Sequence, residues 1–100
     1  MGYDVDILVY DDDKEFMGFI IEDYSLGWIR EFYHFILDNA KEIKRDLYLD
    51  TIYKSDIAQK FLYYCEKNGL CGDITFKTSI DVAKRIRDNK RIAYISFSIC

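Results

Sequence analysis

One hundred residues, half of them apolar and 17% aromatic with a formal charge of −4, describe a single domain with enough apolar material for one core. Nine Tyr and seven Phe exclude an intrinsically disordered chain, because disordered segments are poor in aromatics. No apolar run reaches the roughly 18 residues of a membrane helix, and the acidic start "MGYDVDILVY" lacks the basic region of a signal peptide.

Residues 3–10 alternate: Tyr3, Val5, Ile7 and Val9 face one way, Asp4 and Asp6 the other. Period two on a β-branched face predicts a half-buried strand. "EFMGFII", residues 15–21, reads as a second strand. Asp11–Lys14 then becomes a hairpin loop, since Asp is a preferred turn residue.

The stretch "SLGWIREFYHFILDNAKEI", residues 25–43, places Leu26, Ile29, Tyr33, Ile36, Leu37, Ala40 and Ile43 three and four apart. That spacing predicts an amphipathic helix with Asp23 or Ser25 as N-cap. Trp28, Phe32 and Phe35 fall on a flank of that face, about 60–120° away at ~100° per residue. One sheet covers a stripe only somewhat wider than ~100°. The flank therefore needs a cover, either a second helix or a partner.

A second helix is expected over 55–68, with Ser55 as its cap, a stripe of Ile57, Phe61, Tyr64 and Cys65, and Asn68-Gly69 as a left-handed stop. Residues 44–54 read equally as strand, helix tail or loop. "DITFKTS", residues 73–79, reads as a strand, and Ser79 as the cap of a third helix, "IDVAKRIRDN". The chain closes on "RIAYISFSIC", in which Ala93, Ile95, Phe97 and Ile99 alternate with polar positions. The expected fold is α+β. A mixed sheet of about four strands (the N-terminal hairpin plus two C-terminal strands) carries two to three helices mainly on one face.

Charge is unevenly distributed. Residues 1–24 hold eight acids and one base, whereas residues 51–100 hold nine bases and five acids. The order suggests a charge dipole in space, with Asp4, Asp6, Asp11–Asp13, Glu15, Glu22 and Asp23 at its negative end. The basic cluster Lys84, Arg85, Arg87, Lys90 and Arg91 reads as the solvated face of a short helix. The acidic balance of the whole chain argues against direct nucleic-acid binding. His34 reads as a surface residue one turn from Asp38, and no Ser or Cys pairs with it by local spacing. Cys65, Cys71 and Cys100 are odd in number and lack zinc-ligand spacing. They are expected as reduced thiols in a cytoplasmic setting, with no metal and no cofactor. Asp at position 6 does not support myristoylation of Gly2. The absence of Pro and the wealth of Ile, Lys, Asp and Tyr fit a bacterium of low GC content or its phage.

"ILVYDDDKEF" resembles the first strand of response-regulator receiver domains, which ends in an acidic pair. "DLYLDT" resembles the strand bearing the phosphoacceptor, and "ITFKTS" the strand ending in the switch residue. The resemblance implies a Mg2+ and phosphoryl switch using Asp12, Asp13, Asp50 and Thr78. The Lys-Pro of the family's last strand has no counterpart here.

No catalytic constellation stands out. The surplus of acids and aromatics favours a non-enzymatic module that binds another protein. The concrete expectation is an inhibitor or antagonist, such as a phage counter-defence or immunity-type protein, acting on a basic nucleic-acid-processing enzyme or a toxin. Its candidate contacts are Asp11, Asp12, Asp13 and Glu15, joined by Trp28, Phe32 and Phe35 where these are exposed. The alternatives are the receiver-like switch and a homodimer formed through the Trp28 flank.

Overall fold

The computed structural model describes residues 3–44 and 51–100. Strands β1 (Asp4–Tyr10) and β2 (Phe16–Ser25) form an antiparallel hairpin, as the alternation predicts. The other edge of β1 pairs with β5 (Tyr94–Ile99). β4 (Thr51–Lys54) pairs with β5, and β3 (Ile43–Lys44) extends the sheet by two residues. The order is β2-β1-β5-β4-β3, and every neighbouring pair is antiparallel. The α+β class and the helix-covered sheet are as expected, but the sheet is antiparallel throughout, because the N-terminal pair is a hairpin and β5 returns against β1.

Helices α1 (Leu26–Asn39), α2 (Ile57–Lys67) and α3 (Lys77–Asp88) pack on one face. Val5, Ile7, Val9, Ile21, Tyr53 and Ile95 supply the sheet side of this core. Ile29, Phe32, Ile36, Phe61, Val82 and Ile86 are among the helix side chains that meet them. Burying such a side chain contributes about 1.5–3 kcal/mol each relative to exposure. Tyr10 and Ile52 are buried outside that cluster, and the Tyr10 and Ser96 hydroxyls share a buried 2.8 Å hydrogen bond.

Residues 73–79 are not the expected strand. The Asp73 carboxylate accepts from the Thr75 N–H at 2.9 Å and opens a single 3-10 turn, Ile74–Phe76, which runs into α3. A local side-chain bond of this kind competes with a strand ladder. The fourth strand comes instead from Thr51–Lys54, inside the segment that read three ways. Ser79 therefore lies within α3 rather than capping it. Its buried hydroxyl accepts from the Phe32 N–H at 3.3 Å. That amide is available because α1 breaks at Ile29 (φ −119°, ψ 15°), which interrupts the helical ladder one turn earlier. Nor does Ser55 cap α2. Its hydroxyl donates to the Ile92 carbonyl at 2.9 Å, and Asp56 occupies the N-cap. Gly69 (φ 68°) ends α2 in the left-handed region, as its position after Asn68 predicts.

β2 is an edge strand, and an open edge invites pairing with another chain. Its ladder to β1 has three irregularities, and the Arg85 guanidinium donates to the Ile20 carbonyl at 2.6 Å. Both features work against further strand addition. No helix among the described residues is long and apolar enough to cross a membrane.

Candidate protein-interaction surface

The three aspartates after β1 make a turn. The Asp11 carboxylate accepts from the N–H groups of Asp13 (2.9 Å) and Glu15 (3.0 Å). The Asp11 N–H donates to the Glu15 carbonyl, and the Lys14 N–H to the Asp11 carbonyl. Lys14 adopts φ 63°, the left-handed conformation that closes the loop. Asp11 is thus occupied with backbone amides, while Asp12, Asp13 and Glu15 are exposed. Among the described residues no three of His, Cys, Asp and Glu converge as a metal cluster.

Among the described residues the chain does not follow the strand arrangement implied by the receiver resemblance. That family enters a helix after its first strand, whereas this chain turns back into β2. Thr78 lies in the first turn of α3 rather than at a strand end. Asp50, the matching phosphoacceptor position, lies outside the described residues.

Folding brings part of the acidic segment beside part of the basic one. Tyr10 pairs with Tyr94, and the Ala93 N–H donates to the Tyr10 carbonyl. This brings the acidic hairpin to the end of the sheet where the basic C-terminus of α3 feeds β5. Lys14 stands 5.6 Å from the centre of the Tyr94 ring, and Asp12 shares a surface hollow with Lys54. Asp4 lies about 23 Å along β1 from Asp11 at ~3.3 Å per residue. The acids of residues 1–24 therefore form two groups at opposite ends of one strand.

The second group shares its end of the sheet with exposed aromatics. Val5 pairs with Tyr24 on one side and Ile99 on the other, so the three share a row. Trp28 meets Tyr24 edge-on at 5.9 Å between ring centres. Trp28 is 62% exposed, Tyr3 63% and Ile99 40%. Asp4, Glu22 and Asp23 are exposed at the same end. Asp6 is held by its neighbour: it accepts from the N–H of Asp23, whose φ of 55° marks a bulge.

The three aromatics of the α1 flank separate. Phe32 is fully buried against Phe61, with 5.1 Å between ring centres. As a contact residue it is corrected: α2 covers it. Phe35 is half-buried, packing on Phe61 and Tyr64. Trp28 alone is left open. Phe35 also opens into a groove of about 240 Å³ between α1, α2 and the 3-10 turn, walled by Phe61, Tyr64 and Phe76 and edged by Glu31, His34 and Asp38. The sequence hides this groove because Ile74 and Phe76 alternate like a strand, whereas they form a 3-10 turn.

Of the thiols, Cys65 is buried and Cys71 and Cys100 are exposed. Burial, and secondarily the neighbouring Cys71 thiol, pushes Cys65 up to about 11. It is a core thiol and not an activated nucleophile. Comparison with protein-family models, curated proteins and solved structures returns no match.

Proposed function

We propose that the protein is a non-enzymatic binding module that docks on a basic surface of another protein, as an inhibitor or antagonist of the phage counter-defence or immunity type. A basic nucleic-acid-processing enzyme or a toxin has the required surface. The observation that supports this reading is the Trp28 end of the sheet. A Trp left 62% in water against Tyr24, at the end of the sheet that also exposes Tyr3, Asp4, Glu22 and Asp23, has the composition of an interface centre near a charged rim. The acids speed encounter with a basic partner, and the aromatics supply the contact.

Compared with the sequence expectation, the weight moves from Asp11–Asp13 to Trp28. The test is calorimetry with the partner recovered from the source cells and purified. Trp28→Ala is expected to cost about 2 kcal/mol or more, roughly thirtyfold in Kd. The exchange Asp12→Lys with Asp13→Lys is expected to change Kd by less than about threefold. Unchanged affinity in Trp28→Ala would overturn the assignment. A solution mass of twice the 11.9 kDa monomer, abolished by Trp28→Ala, would turn the same surface into a self-association site.

A further inference from the structure

We infer that the groove between α1 and α2 receives an arginine side chain from the basic partner. The inference rests on the proposed function and names what that partner inserts. Four aromatic residues, Phe35, Phe61, Tyr64 and Phe76, wall the groove. They are mutually braced: Phe35 meets Phe61 and Tyr64 at 5.3 Å between ring centres, and Phe61 stacks on Phe76 at 6.4 Å. Phe61 is buried and braces the others, while Phe35, Tyr64 and Phe76 keep part of their rings open; an aromatic ring attracts a cation through the negative face of its quadrupole. A planar guanidinium also stacks on such faces, which an ammonium does not.

The rim matches. Glu31 and Asp38 edge the groove, and no Lys or Arg lines it. Two carboxylates beside an aromatic floor suit a group that is flat, cationic and apolar along its stem, which describes arginine. Glu31 is only loosely engaged elsewhere, at 3.5 Å from Arg30 Nε. Next to the floor, Ile74 stands 86% exposed in the same 3-10 turn that carries Phe76. An apolar side chain so placed offers a contact to the backbone flanking an inserted arginine.

The test is an amide NMR titration of the full chain with acetyl-Gly-Arg-Gly-amide. The control is the same peptide carrying citrulline, which keeps the shape and loses the charge. Saturable shifts are expected at residues 31–39, 61–64 and 76, with citrulline weaker by about two- to fivefold. Glu31→Gln with Asp38→Asn is expected to weaken the arginine peptide by about threefold or more without moving the melting temperature. Equal response to both peptides, or no saturable shift in the groove, would overturn the inference. Shifts confined to Asp4, Glu22, Asp23 and Trp28 would also overturn it, yet would leave the basic-partner reading standing. Failure of that reading is seen separately, in the Trp28→Ala calorimetry.

Discussion

The two ends of β1 both carry acids, and they differ in what stands next to the charge. At the hairpin end, Asp11 satisfies two loop amides, and Lys14 and Lys54 flank the exposed Asp12. At the opposite end, Trp28 and Tyr3 are more than 60% exposed, and Asp4, Glu22 and Asp23 are exposed at the same end of the sheet. Each end holds four acids, one of them bonded to backbone amides, Asp11 at the hairpin and Asp6 opposite. What separates the ends is the lysine beside Asp12 and the exposed Trp28. A carboxylate bonded to its own backbone has a structural reason to be there, whereas an uncovered Trp has none.

The same contrast runs within α1. Phe32 and Trp28 sit one turn apart across the break at Ile29, one fully buried and one 62% exposed. Phe32→Ala is expected to lose about 3–5 kcal/mol, the usual cost of emptying a buried ring site. Trp28→Ala is expected to stay within about 0.5 kcal/mol of wild type, as surface changes do. Urea unfolding of both measures this, and a large loss at Trp28 would make it a core residue. Next in size is Ser79→Ala, which leaves the buried Phe32 amide without its acceptor and should cost about 1–3 kcal/mol.

The hairpin yields a smaller difference. Asp11→Ala removes the acceptor of two loop amides and is expected to cost about 1–2 kcal/mol. Asp12→Lys and Asp13→Lys are expected to stay within about 0.5 kcal/mol. Equal costs at all three positions would remove the distinction between a turn residue and its solvated neighbours. The smallest effect near neutral pH concerns Cys65. Its folded value of about 11 lies above the usual 9.0, so the fold favours the protonated thiol. The resulting stabilisation is complete below pH 9 and is lost as pH rises toward 11. In native protein, iodoacetamide should modify Cys71 and Cys100 quickly and Cys65 only on unfolding, as mass spectrometry would read.

Much of this architecture was legible in the sequence. The alternation of residues 3–10 and the Asn68-Gly69 stop each have one reading, because local pattern and tertiary packing agree there; the spacing that predicts α1 runs on to Ile43, whereas the helix ends at Asn39, Leu37 is exposed and Phe32 is buried. Residues 73–79 misled for a local reason: Ile74 and Phe76 alternate like a strand, but Asp73 captures the Thr75 amide and starts a turn. The break at Ile29 left no sequence signal, since the partner that stabilises it, Ser79, is 47 residues away from Phe32. The row of Tyr24, Val5 and Ile99, with Trp28 against Tyr24, depends on strand register across three strands, which composition does not encode.

Calorimetry with the purified partner decides between the two ends of β1. Trp28→Ala is expected to weaken binding roughly thirtyfold, and Asp12→Lys with Asp13→Lys to leave it within about threefold. The reverse ranking would return the binding surface to the hairpin.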